Sequence, residues 1–436
     1  MAHNKNHSHT NNKLEKESSK DSQITTQKDG QPVAVVNEKE RKLQSFIVRS
    51  VWTFVMLFAF ILIILSGHVS LIILVIVLEV LVFKECIAIT AERAKKENLV
   101  HTNLLNWYFL LTTEIYLDGR TISKYFIEKI LEDRFLPIGF AKSFLLHHKF
   151  ICYCMYVGGF IFFVATLKKG HLKFQFAQLC ITNMTLLLVI LQGHCIVNNI
   201  LHGLFWFLLP SLLVITNDIF AYVCGITFGK TQLIAISPKK TVEGFVGAWI
   251  CTTIAAVALS HILINYSYIT CPVNDLSINY FKPNNCDPDP IFISQIYKVP
   301  KDFVVLIGKE FITFKPIYFH SMILGMFASL IAPFGGFFAS GLKRAFKIKD
   351  FGHSIPGHGG FTDRLDCQFI MGSFSYLYYE TFISSHNVNI GNILQTIIIN
   401  LSGRDILQLV KSLHSYLYKS GVINEETYLK LVELLQ

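Results

Sequence analysis

The stretch Val51–Phe83, "VWTFVMLFAFILIILSGHVSLIILVIVLEVLVF", carries one acidic residue, Glu79, and no Lys or Arg. It divides at Gly67 into two apolar runs, Val51–Ser66 and Val69–Phe83. A bilayer span takes about 20 mostly apolar residues in a helix, because hydrocarbon gives an unpaired backbone group no partner. Two such runs in tandem predict an all-α, polytopic membrane helical bundle.

The rest of the chain supports that class. Of 436 residues, 52% are hydrophobic and only 16% charged, with a mean hydropathy of +0.45. A soluble domain carries about a quarter charged residues. Further runs are Phe150–Leu167, Phe174–Gln192, Val242–Ile264, Phe319–Phe338 and Leu365–Ile383. Val197–Phe228 contains Pro210 and reads either as one tilted span or as two short ones broken there. Leu104–Leu117 is short and carries Glu114, so its crossing stays open. Either way the total is about nine spans. Residues 1–45 read as a disordered cytosolic tail, since they lack the apolar content to fold alone. The membrane domain then covers 46–384, with a polar lumenal loop at 265–318, and residues 385–436 form a helical C-terminal tail.

Lys and Arg favour the cytosolic side. Arg49, Lys84, Arg93, Lys95 and Lys96 place the flanks of the first two runs there. Two topologies follow, differing in whether Leu104–Leu117 crosses. Both put Gly229–Thr241 and Ser340–Asp366 in the cytosol. Cys271 and Cys286 share one polar loop; in the lumen they would be free to pair.

The formal net charge of +9 points to anionic lipid or phosphate-bearing ligands. No zinc-finger spacing or RNA-binding aromatic motif supports nucleic acid. The basic and acidic residues concentrate in "SGLKRAFKIKDFGHSIPGHGGFTDRLD", Ser340–Asp366. Ser340, Lys343, Arg344 and Lys347 are spaced to share a helix face. Lys349 and Asp350 follow. Pro356 stiffens a turn in which Gly357, Gly359 and Gly360 let the backbone approach an anion around His358. Asp363 and Asp366 stand at i and i+3 around Arg364, a spacing that can hold a divalent ion. Charges at the mouth of an oily helix are costly, and costly polar groups in membranes are usually functional.

A second cluster runs from Thr216 to Gly247. Asp218 lies in apolar sequence and needs a partner or a metal. Ser237-Pro238 reads as a helix start, with Lys239 and Lys240 in its first turn as a phosphate site and Glu243 one turn on. "GITFGKT", Gly225–Thr231, is one residue short of a P-loop and is rejected as one. Glu79, Asn198 and Asn199 read as groups joining helices.

These blocks resemble the phosphatidate cytidylyltransferase family, eukaryotic branch. Its pattern of Ser, Lys-Arg, Lys-Asp, Pro-Gly-His-Gly-Gly and Asp-Arg-x-Asp is met by Ser340, Lys343, Arg344, Lys349, Asp350, Pro356, Gly357, His358, Gly359, Gly360, Asp363, Arg364 and Asp366. The resemblance implies transfer of a cytidylyl group from CTP to phosphatidate in phospholipid synthesis, leading on to phosphatidylinositol and to phosphatidylglycerol and cardiolipin. It implies magnesium and leaves room for a monovalent cation. It also implies a multi-pass protein of the endoplasmic reticulum whose active site faces the cytosol, and it leaves room for a homodimer. The roles expected are catalysis or charge stabilisation for Lys343, Arg344, Lys349, His358 and Arg364. Substrate binding is expected for Ser340, Lys239, Lys240, Gly357, Gly359 and Gly360. Asp350, Asp363, Asp366, Asp218 and Glu243 would hold metal. Two alternatives stay open: a dolichol kinase-like enzyme releasing CDP, and a transporter of anionic lipid or solute.

Overall fold

The structure, a computed structural model, describes residues 38–96, 99–119, 138–273, 278–281, 286, 289–298, 310–357, 359–384, 397 and 401–425. Contacts divide the chain into two units, residues 1–48 and 49–436. The architecture is helical. In chain order the helices are α1 Glu38–Ser66, α2 His68–Lys96, α3 Val100–Leu117, α4 Ile138–Ala165, α5 Leu172–His202 and α6 Phe205–Phe228. They continue with α7 Val242–Leu263, α8 Ile317–Leu330, α9 Pro333–Ala345, α10 Thr362–Phe382 and α11 Gly403–Lys419. Two antiparallel hairpins interrupt them: β1 Gln232–Ile234 with β2 Ser237–Thr241, and β3 Gln295–Lys298 with β4 Phe311–Phe314.

Among the described residues, six helical stretches are long and apolar enough to cross a bilayer: Ile47–Ser66, His147–Ala165, Leu172–His202, Phe205–Phe228, Val242–Leu263 and the α8–α9 stretch Ile317–Ala345. This is a multi-pass membrane protein, but apolar length supports six crossings rather than about nine. Helices α2 and α10 fall short because Glu79, Lys84 and Glu85, and the Asp363–Asp366 group interrupt them, and α3 because His101, Asn103, Asn106 and Glu114 lower its apolar content. The tail expected over 1–45 is partly outside the described residues. From Glu38 onward the chain is already helical, because Glu38–Lys42 are good helix formers that extend the apolar helix. In the Ile47–Ser66 stretch none of the apolar window is buried by protein, as suits a helix facing lipid.

Pro210 does not break its helix. The break falls at Gly203, whose φ of 131° ends α5, and α6 runs unbroken through a buried Pro210. Proline lacks the N–H that would pair with the carbonyl four residues back. That carbonyl, Trp206 O, instead accepts from Ser375 Oγ of α10 at 3.0 Å. Gln368 of α10 donates to the adjacent Ser211 carbonyl at 3.2 Å. A neighbouring helix thus supplies the donors that hydrocarbon cannot.

The core lies where α10 packs on α5 and α6, while α7 packs between α6 and α8. Phe205, Leu209, Leu213, Ala256, Leu324 and Met371 are wholly buried there. In lipid, helices associate through close packing rather than water exclusion, so small residues sit at the seams. A Cβ on Gly325 of α8 would come within 2.9 Å of Ala256 Cβ on α7. Cys271 and Cys286 are joined as a disulfide.

Candidate active site

The loop between α9 and α10 is built by its termini. Helix α9 closes with Ile348 N–H donating to Lys343 O at 3.0 Å and Lys347 N–H to Arg344 O at 3.2 Å, the Schellman pattern. Lys347 holds the left-handed position, φ 57°, so it lies beyond the helix and not on the face shared by Ser340, Lys343 and Arg344. Gly357 and Gly359 take φ of 76° and 87°. Between them a tight turn closes, with Ile355 N–H donating to Gly359 O at 2.9 Å. His358 falls outside the described residues.

One side chain absent from the sequence-based set pins this loop. Glu85 of α2 is buried, and its Oε1 accepts from Ser354 Oγ at 2.6 Å and Phe361 N–H at 3.1 Å. Its Oε2 accepts from Thr362 N–H at 2.9 Å and Thr362 Oγ1 at 2.8 Å. The carboxylate therefore caps the α10 N-terminus, where the helix dipole favours negative charge. A Cβ at Gly360 would meet Glu85 Oε2 at 2.6 Å and Gly352 N at 2.9 Å, so glycine is required. The available signal was an acidic residue within an oily helix, beside Lys84.

Asp363 organises the next layer. Its Oδ1 accepts from Lys343 Nζ at 2.6 Å, and its Oδ2 accepts from the Phe351 and Gly360 N–H groups, each at 3.2 Å. Asp350 joins it: a Cβ on Gly359 would lie 3.4 Å from Asp363 Oδ2 and 3.7 Å from Asp350 Oδ1. Lys343 Nζ also sits 5.6 Å from the Phe351 ring centroid, an attractive cation–π placement.

One turn along α10 lies a second acidic group. Asp218 of α6 acts electrostatically on Asp366, Lys240 acts on both, and Arg364 acts on Asp218. Lys240 Nζ stands 4.9 Å from the Phe337 ring of α9, which fastens the β1–β2 hairpin to α9. Two cavities meet at Asp218. One, of about 330 Å³, is bordered by Asp218, Lys239, Lys240, Thr241 and Phe337. The other, of about 530 Å³, is bordered by Asp218, Arg364 and Gln368 and by apolar residues such as Leu74, Leu78, Leu212 and Ile215.

The profile of the cytidylyltransferase family matches residues 47–382. The chain belongs to this family. It is 53% identical over 396 residues to phosphatidate cytidylyltransferase of Saccharomyces cerevisiae, covering 91% of this chain and 86% of that protein. It is 42% identical over 368 residues to phosphatidate cytidylyltransferase 1 of Arabidopsis thaliana, covering 84% and 86% of the two chains. To human phosphatidate cytidylyltransferase 1 it is 39% identical over 377 residues, covering 86% and 80%.

The motif residues of this cytidylyltransferase therefore fall in two adjoining groups carried by α10. Lys343, Asp350, Asp363, Gly359 and Gly360 form one; Asp218, Lys240, Arg364 and Asp366 form the other. Others stand apart from both. Arg344, Lys349 and Gly357 are exposed, and Ser340 Oγ donates to Gly336 O of its own helix at 2.8 Å; Lys239, also exposed, borders the cavity of Asp218 and Lys240. The helix start expected at Ser237-Pro238 is strand β2 instead, so Lys239 and Lys240 project from a hairpin. Helix α7 begins after Thr241, whose Oγ1 accepts from Gly244 N–H at 3.2 Å. Serine is by residue type the better cap, but here Ser237 pairs in the hairpin and Thr241 makes the capping bond. Glu243 has other work: its oxygens accept from the Lys230 N–H at 3.0 Å, the Thr231 N–H at 3.2 Å and Thr231 Oγ1 at 2.8 Å. "GITFGKT" is the end of α6 and the turn after it, tied by this carboxylate to the first turn of α7, not a phosphate loop.

Proposed function

We propose that this enzyme transfers the cytidylyl group of CTP to phosphatidate, forming CDP-diacylglycerol and releasing pyrophosphate. The observation that carries the reading is the position of Asp218, which borders both the lysine-lined cavity and the apolar one. CTP phosphates take the cavity of Lys239 and Lys240. Phosphatidate places its acyl chains along Leu74, Leu78, Leu212 and Ile215 and its headgroup near Arg364.

A phosphate oxygen of phosphatidate attacks the α-phosphorus of CTP, and the bond to the pyrophosphate oxygen breaks. The second ionisation of a phosphomonoester lies near pH 6, so the nucleophile is already charged at neutral pH and needs no general base. The barrier is the meeting of two anions and the departure of a third. Fixed cations and positioning lower it. Lys239 and Lys240 bind CTP phosphates, and Arg364 stabilises charge between the substrates. Lys343 holds Asp363, which fixes the backbone at Phe351 and Gly360. Gly357 and Gly359, with His358, are the loop positions offered to CTP phosphates, while Gly360 gives its N–H to Asp363; Ser340, Arg344 and Lys349 complete the cytosolic approach.

Magnesium suits this donor set. The carboxylates of Asp218, Asp366 and Asp350 offer oxygen ligands only, the preference of a hard cation. Asp363 would support these ligands through its own bonds, whereas Glu243 serves the hairpin. When bound, the ion would neutralise phosphate charge where the two substrates meet.

The active site faces the cytosol of the endoplasmic reticulum in this reading. The 22-residue α7 spans about 33 Å. The hairpin precedes its N-terminus and the Cys271–Cys286 disulfide follows its C-terminus, so they sit on opposite faces. Disulfides persist in oxidising compartments, which supports a cytosolic hairpin face, the side from which CTP would arrive. Adding α2, α3 and α10 to the six apolar stretches gives about nine spans.

The test is purified full-length protein in detergent with labelled CTP, phosphatidate and magnesium. CDP-diacylglycerol and pyrophosphate should appear in equal amounts. Release of CDP with a phosphorylated lipid, or lipid movement without CTP, would overturn the proposal.

A further inference from the structure

A second acidic cluster lies elsewhere on α2. Glu79 of α2, Glu114 of α3 and Asp118 at the end of α3 bring one carboxylate oxygen each to within 4.8 Å of one another. Glu79 is wholly buried, and neither of its oxygens has a hydrogen-bond partner among the described residues. Glu114 Oε1 and Asp118 Oδ2 are buried and equally unpartnered. The backbone of α5 forms a wall: a Cβ on Gly193 would overlap Glu79 Oε1.

His194 of α5 stands beside the cluster. Asn198 Nδ2 stands 3.0 Å from His194 Nε2 and also donates to His194 O at 2.9 Å. His194 Nδ1 stands 2.6 Å from Asp118 Oδ1, so α5 holds that carboxylate from behind. A ligating group oriented by a hydrogen bond behind it is the usual outer arrangement of a metal site.

Three carboxylates aimed at one point inside a membrane protein are costly unless something positive joins them. Oxygens around a magnesium or calcium ion lie roughly 2.1–2.5 Å from it, hence at most about 4–5 Å from each other. We infer that Glu79, Glu114 and Asp118 bind a hard divalent cation, separate from the site that holds the substrates. The ion ties α2 to α3 and braces both against α5. Glu85 lies six residues further along α2, about 9 Å, so the same ion steadies the helix that pins the α9–α10 loop. The inference does not depend on the cytidylyl-transfer reading, because its test counts metal rather than turnover.

The parent for the test is full-length protein carrying Asp218→Asn and Asp366→Asn, stripped with chelator in detergent. Mn²⁺ is titrated in, and the free ion is followed by electron paramagnetic resonance. Adding Glu79→Gln should remove one bound Mn²⁺ per chain. The thermal midpoint of the parent should rise with Mn²⁺, and that of the Glu79→Gln variant should not. If Glu79→Gln fails to fold, Glu114→Gln is counted instead, with a loss of at least tenfold in affinity expected. An unchanged Mn²⁺ count in these variants overturns the inference. So does a parent that neither binds Mn²⁺ nor gains thermal stability from it, which would mean the carboxylates share protons alone.

Discussion

Lys343 Nζ lies 2.6 Å from Asp363 Oδ1, across the mouth of the loop that joins α9 to α10. The pair is mostly shielded, with side-chain exposures of 20% and 10%. Asp363 also accepts two backbone N–H groups from that loop, so one carboxylate fixes both a cation and a backbone turn.

Replacing that carboxylate tests it directly. Asp363→Asn should lower kcat by at least about a hundredfold, the scale lost with one preorganised electrostatic group. The protein should remain folded, because Asn retains an oxygen for the loop N–H groups. Turnover at the wild-type rate in a monodisperse preparation would remove Asp363 from the machinery.

Glu85 should behave as a positioning residue. Glu85→Gln keeps one acceptor oxygen and places an amide donor against Thr362 N–H or Ser354. Leaving buried donors unmatched costs about 1–3 kcal/mol. Thermal unfolding should shift down accordingly, and kcat should fall while KM for CTP moves little. A stable variant with full turnover would show that the loop holds its shape without α2.

Lys240 borders the smaller cavity and not the larger one. Lys240→Met should therefore raise KM for CTP by roughly ten- to a hundredfold, the worth of a charge-assisted bond of about 1.5–3 kcal/mol. KM for phosphatidate should stay near its starting value. Equal rises in both constants would contradict the division of the cavities between the substrates.

The disulfide lies at the far end of α7 from the site. Cys271→Ser should destabilise the fold by about 3 kcal/mol, as for a closed loop of roughly 15 residues, with kcat unchanged below the new melting point. A collapse of kcat in folded protein would mean that the loop reaches the chemistry.

Much of this protein was legible from residue order. The apolar runs, the placement of charge at their ends and the motif from Ser340 to Asp366 lead to an all-α membrane bundle and to cytidylyl chemistry, and the family match over residues 47–382 agrees. Such features are local: hydrophobic length and motif spacing are properties of neighbouring residues. Local signals also misplaced elements. Ser237-Pro238 has the chemistry of a helix start, yet the segment pairs with Gln232–Ile234 in a hairpin and the helix begins after Thr241. Pro210 has the chemistry of a break, yet its helix continues because Ser375, 165 positions later in the chain, donates to the carbonyl it leaves bare.

What residue order determined was the inventory: spans, loops, and which charges stand at a membrane surface. Only the tertiary structure decided the partnerships. It set Asp218 between two cavities, placed Lys240 against Phe337, and gave Glu85 to a loop far away in sequence. It also gathered Glu79, Glu114 and Asp118 around one point. Each of these contacts joins elements whose separation in the chain carries no trace of their proximity. A buried charge takes whatever partner the packed bundle brings within hydrogen-bonding distance.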